Sequence, residues 1–119
     1  SELSTYEDLA DPRWKGRICI RSSSNIYNQS LVAGMLATQG VASTEAWLAA
    51  FVPNFARPPQ GGDRDQVLAV AAGLCDIAVV NSYYLGAMII SGEPTQQAAA
   101  EQVAIFWPNQ DGRGTHVNI

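Results

Sequence analysis

The chain is poor in the residue types from which many sites are built. A single histidine, His116, excludes a His-rich metal site. Two cysteines, Cys19 and Cys75, are too few for a Cys-based zinc cluster. Charge is sparse: Asp, Glu, Lys and Arg make up 15% of the 119 residues, against roughly 25% in an average globular chain. Seven Lys+Arg against eleven Asp+Glu leave a net charge of −4. That sign argues against nucleic acid, which wants a basic face, and against a polybasic membrane surface. No apolar run approaches the ~18 residues of a membrane span. No internal repeat of roughly 20–50 residues is visible. Walker and dinucleotide glycine patterns are missing. No Ser–His–Asp set can be assembled around His116, and Cys75, beside Asp76, has no evident base partner. An enzyme is not expected.

What remains is one domain of ordinary length. With 47% hydrophobic residues it can bury about two thirds of the surface its unfolded chain exposes. The chain opens at Ser1 without a signal peptide and stops at Thr115-His116-Val117-Asn118-Ile119, which reads as the middle of a strand. Both ends suggest a fragment of a mature protein or an excised lobe, with a complete small cytosolic protein as the alternative.

Residues 3–11 read as a short helix, with Ser4 and Glu7 as a capping box and Pro12 ending it. Arg17 to Arg21 is a short buried strand (Ile18, Cys19, Ile20) with a polar exit, Ser22-Ser23-Ser24. From Asn25 the pattern turns helical, with Tyr27, Leu31 and Met35 on one face and Gly40 as the stop. Ser43 or Thr44 caps a second helix that buries Trp47, Leu48 and Phe51 and ends at Pro53. Residues 54–58 are a candidate extended segment. Asp63 and Gln66 form an Asp version of the capping box for a third helix. Asp76 to Val80 is a second buried strand, and Asn81-Ser82 caps a helix through Ile90. Residues 95–102 are helical by Ala and Gln content, Val103 to Trp107 reads as a strand and Asn109 to Gly114 as a loop. Short buried strands separated by helices give an α/β fold, a mainly parallel sheet with helices on both faces.

In such sheets ligands sit outside the carboxyl ends of the strands, where helix N-termini point. Two segments meet that rule: Ser22 to Asn28 after the first strand, and Asn81-Ser82-Tyr83-Tyr84 after the second. Three of the four tyrosines, Tyr27, Tyr83 and Tyr84, fall there; Tyr6 is the exception. A phenol with pKa near 10 is a poor ligand while protonated, but a hard, highly charged cation displaces the proton. Three phenolates would neutralise Fe(III). The alternative is packing: tyrosines at helix starts commonly bury a ring and hydrogen-bond the hydroxyl.

At these residues the chain resembles the ferric-iron-binding solute-binding proteins of bacterial and cyanobacterial iron ABC transporters. Asn81-Ser82-Tyr83-Tyr84 is similar to their paired-tyrosine motif. Residues 16–22, 27–32, 71–73, 75–78 and 106–110 also resemble that family in order, so the likeness spans nearly the whole chain. The resemblance implies a type II periplasmic-binding-protein fold, with residues 1–119 forming most of its C-terminal lobe. It implies Tyr83 and Tyr84 as iron ligands, and Tyr27 as a third by the spacing of one subgroup. It further implies an N-terminal lobe carrying the remaining ligands, an inner-membrane ABC permease as partner, and a periplasmic or extracytoplasmic location. His116 is not expected to fill the place of the absent lobe's ligands.

Arg21 leaves the first strand at the edge that carries Tyr27. It can hydrogen-bond a phenolate or hold a synergistic anion such as carbonate; a surface salt bridge is the alternative. Gly61-Gly62-Asp63 is a turn and cap, or an anion-binding helix start. Cys19 and Cys75 can pair in a disulfide if their strands are neighbours, or remain two buried thiols. Trp14, Trp47 and Trp107 are packing residues. Two further functions stay open. One is an isolated half-binding-protein with little affinity, its exposed apolar face forming a homodimer. The other is the same fold binding a different metal or an anion.

Overall fold

A computed structural model describes residues 3–112 and 114–117. Two short strands, β1 (Ile18–Ile20) and β2 (Ile77–Val79), pair in parallel with Cys19 opposite Ala78. Phe55 adds a parallel bridge to Ile18 on the other edge of β1, with the Ala56 amide donating to the Ile18 carbonyl at 2.7 Å. The extended segment expected at 54–58 is therefore a single bridge rather than a full strand.

Alternation along β1 decides which helix covers which face. Ile18 and Ile20 point into a core with Leu31, Met35, Trp47 and Phe51 of α1 (Ile26–Phe51). Cys19 points the other way, against Ala69 of α2 (Asp63–Ala71) and Cys75. Helices thus cover both faces, as expected. A further cluster joins Val67 of α2 to Met88 of α3 (Tyr83–Ile89) and to Ala99 and Ala100 of α4 (Pro94–Glu101).

Cys19 and Cys75 form a disulfide with Cα atoms 6.0 Å apart. It ties β1 to the turn leading into β2, while the parallel register that sets Ile20 opposite Val79 holds the exits of the two strands side by side.

α1 is two helical runs broken at Gly40, whose φ of 83° and ψ of 173° lie in a region essentially reserved for glycine. The stop expected at Gly40 is this break. The helix resumes at once, so Ser43 and Thr44 are interior, and Thr44 is fully buried rather than a cap. A Cβ on Gly40 would meet no atom within 4 Å, so Gly40→Ala tests the backbone alone. It is expected to lower unfolding free energy by about 1–3 kcal/mol, read by urea titration.

The N-terminal cap lies one residue from its expected place. The Asp8 carboxylate accepts from the Ser4 and Thr5 amides at 2.8 and 2.9 Å, and Thr5 Oγ1 accepts from the Asp8 amide. The reciprocal pair is Thr5 and Asp8, not Ser4 and Glu7. It opens a 3₁₀ turn, Glu7–Ala10, and Pro12 begins a second one, Pro12–Trp14, capped by Asp11. Buried Asn54 donates to the carbonyls of Leu9 and Asp11 and fastens these turns to the end of α1.

The strand expected at 103–107 does not form among the described residues. Its β-prone residues make no ladder although β2 pairs on one edge only, and Ile105, Phe106 and Trp107 are exposed. Residues 115–117 join no ladder either; 118 and 119 of the strand-like terminus lie outside the described residues.

Candidate metal centre

The exits of β1 and β2 lead into helices that begin with tyrosine. Asn25 caps α1 by accepting from the Tyr27 amide at 3.0 Å. Asn28, one residue on, donates to the carbonyls of Arg21 and Ser22 and folds the exit loop back over the strand end. Tyr27 is thereby fixed in the first turn of α1. Tyr83 and Tyr84 open α3. The expected side-chain cap from Ser82 is not made. Asn81 instead donates through Nδ2 to the Tyr83 hydroxyl at 3.3 Å.

These placements bring three phenols together. The hydroxyls of Tyr27 and Tyr84 are 3.2 Å apart, with ring centroids at 6.3 Å in an edge arrangement. The Tyr83 ring stacks on Tyr84 at 4.7 Å, and Tyr83 is 53% exposed. The Tyr84 phenol is held above the usual phenol range, first by its hydrogen bond with Tyr27 and then by burial; the Tyr83 hydroxyl acts in the opposite direction. Metal–oxygen bonds of about 2 Å place adjacent oxygens of an octahedral shell about 3 Å apart. The Tyr27–Tyr84 oxygen pair already has that bite. The donor set is three hard oxygens, suited to a hard cation. Among the described residues no group of three or more His, Cys, Asp or Glu is placed to hold a metal.

The cluster is flanked by positive charge. Arg21 lies over the Tyr27 ring at 5.4 Å from its centroid and Arg64 over the Tyr84 ring at 5.8 Å. Arg21 Nη1 donates to Asp63 at 3.1 Å, with the Arg21 side chain 24% exposed and Asp63 2%. Of the alternatives for Arg21, the ion pair is present, though largely buried rather than at the surface, and the guanidinium stands beside the phenols. Its Nε has no partner among the described residues.

The helix start at Gly61-Gly62 is already capped from within, since Asp65 accepts from the Gly62 amide at 2.7 Å. Asp63, expected to be the cap, turns away toward Arg21 and the Asn81 amide. Gln66, its expected partner in the box, donates to the carbonyls of Gln60 and Gly62. Arg64, over the Tyr84 ring, is the residue that sequence reasoning did not single out, and Asp63 reaches Arg21 and the Asn81 amide through its side chain rather than acting as a cap or an anion-binding helix start. His116 Nε2 lies 2.9 Å from Ser30 Oγ, and its amide donates to the Tyr6 hydroxyl.

No family model matches the chain. Known proteins do. It is 58% identical over 118 residues to iron uptake protein A1 of Synechocystis, covering 99% of this chain and 33% of that protein. It is 32% identical over 112 residues to the Fe(3+)-binding periplasmic protein of Serratia marcescens, covering 94% of this chain and 31% of that one. The Trichodesmium protein IdiA (FutA), solved with iron and citrate, superposes with a TM-score of 0.96 at 59% identity, over 99% of this chain and 37% of that chain. The chain therefore spans about a third of the length of the relatives it matches. By sequence and by fold the chain matches a segment, about a third, of these iron-uptake and Fe(3+)-binding relatives.

Proposed function

We propose that Tyr27, Tyr83 and Tyr84 bind ferric iron as phenolates. In this reading the chain is most of the C-terminal lobe of a two-lobe solute-binding protein. That protein carries iron in the periplasm to an inner-membrane ABC permease. The observation that carries the reading is the 3.2 Å approach of the Tyr27 and Tyr84 hydroxyls beside a stacked Tyr83. Three phenolates balance the charge of Fe(III). The relatives' names, which speak of iron uptake and Fe(3+) binding, support the same cargo. Arg21, beside the phenols with an unpaired Nε, is the residue to hold a synergistic anion such as carbonate. The missing lobe would supply the rest of the coordination shell. The exposed Ile105, Phe106 and Trp107 offer it an apolar face.

Alone, the chain offers three protein ligands and an open side, so binding is weak and water or a buffer anion completes the shell. Titration with ferric citrate is expected to raise a phenolate-to-iron charge-transfer band in the visible. Protein that stays colourless at saturating ferric citrate contradicts the reading for this chain.

The pH response follows from proton competition. Each phenol must lose its proton to bind, and Tyr84 starts from a raised pKa. Lower pH favours the protonated phenols and releases iron; higher pH tightens binding. The band is expected to bleach as pH falls, with about two to three protons taken up per iron released, counted by titrating the loaded protein in weakly buffered solution.

A further inference from the structure

Asp63 is the one charged side chain that is fully buried among the described residues, at 2% exposure. Its two oxygens reach different parts of the site. Oδ1 accepts from Arg21 Nη1 at 3.1 Å, just past the end of β1. Oδ2 accepts from the Asn81 amide at 2.7 Å, just past the end of β2. Asp63 itself opens α2, where the helix dipole favours a carboxylate. One side chain therefore joins a helix start to both strand exits that lead to the phenols. A buried carboxylate left without partners is costly, so its partners are not free to drift. The Asn81 amide fixes the chain two residues before Tyr83. The Arg21 guanidinium, fixed at its other end, is the group that lies over the Tyr27 ring. Asp63, Arg21 and Tyr84 line a common cleft with Arg64.

We infer that Asp63 is a positioning residue: by gripping Arg21 and the Asn81 amide together, it sets the spacing of the Tyr27 and Tyr84 hydroxyls. The consequence for iron rests on the phenolate reading above; the positioning itself does not. Electrostatics alone moves ferric binding little: losing the Asp63 charge eases ionisation of the phenols but also weakens the pull on the cation, and exchanging three phenol protons for Fe(III) leaves the net charge of the site unchanged. A positioning role makes the same substitution weaken it.

Asp63→Asn keeps the shape and an acceptor oxygen while removing the charge. The first arm uses metal-free protein with tyrosine labelled with ¹³C on the ring, the four signals assigned by single Tyr→Phe variants. In Asp63→Asn the Tyr27 and Tyr84 signals are expected to move while Tyr6, which lies outside the phenol cluster, stays. Unmoved Tyr27 and Tyr84 signals, or a Tyr6 shift as large as theirs, overturn the inference. The second arm titrates ferric citrate. Asp63→Asn is expected to weaken binding about tenfold or more, Arg21→Gln to weaken it similarly, and the double variant to be little worse than either alone. Unchanged or tighter binding in Asp63→Asn, or losses that add, overturn it. If the unsubstituted chain shows no charge-transfer band, the phenolate reading fails and the metal-free arm alone decides the positioning role.

Discussion

Tyr84→Phe is expected to lose ferric binding by at least about a hundredfold while the protein stays folded. The loss exceeds what removal of a supporting partner costs, about ten- to a hundredfold, because an anionic donor disappears from the shell. Tyr84 is the hub of the cluster: its hydroxyl meets Tyr27 at 3.2 Å and its ring carries Tyr83. Tyr27→Phe removes the other half of the closest oxygen pair and should behave alike. Neither change should disturb the fold much. In metal-free protein the hydroxyl contributes one hydrogen bond, worth about 1 kcal/mol. Tyr6→Phe is the control. Tyr6 accepts from the His116 amide and its carbonyl accepts from Trp47 Nε1, so its loss affects packing and leaves the charge-transfer band in place. Equilibrium titration with ferric citrate, alongside urea unfolding of each variant, separates the two effects. Equal band intensity in Tyr84→Phe and the parent chain would remove Tyr84 from the ligand set.

The second large effect is on stability. The disulfide joins residues 56 apart in sequence, and a loop of that size stabilises by about 4 kcal/mol in the chain-entropy account. Replacing Cys19 and Cys75 together by alanine is expected to cost about that much and to lower Tm by about 15 °C. Alanine suits the site because Cys19 packs against Ala69 and is fully buried, where serine would strand a hydroxyl. The bond also holds β1 beside the approach to β2. The double variant should therefore show a broader, weaker charge-transfer band even at temperatures where it remains folded. Calorimetry of the two proteins measures the first effect and ferric titration the second. A Tm within about 2 °C of the parent would mean that packing alone holds the two strands.

Much of this was readable along the chain, for local reasons. β1 and β2 are short runs of β-branched and apolar residues between polar punctuation, and the helices follow apolar periodicity. The placement of three tyrosines at two strand exits needed only those elements and the rule for ligand sites in parallel sheets. Other features depend on neighbours that no local pattern reveals. Residues 103–107 have strand composition, yet they join no ladder among the described residues, although β2 pairs on one edge only. The first cap has two candidate hydroxyl–acid pairs one residue apart, and the geometry selects Thr5 and Asp8. Thr44 looks like a cap until Gly40 supplies the break by its dihedrals and lets the helix resume immediately. Asp63 sits at a helix start, where Asp commonly caps. Its actual partners lie 42 residues before it and 18 after. The glycine pair ahead of it already has Asp65 for that duty, and only the folded arrangement reveals the division of labour.

Resonance Raman spectroscopy of the ferric-loaded chain, excited within the visible band, tests the central claim most directly. Phenolate coordination is expected to give strongly enhanced tyrosinate ring modes that shift with ring-deuterated tyrosine and collapse in Tyr84→Phe. Bound iron without enhanced tyrosinate modes would contradict the account.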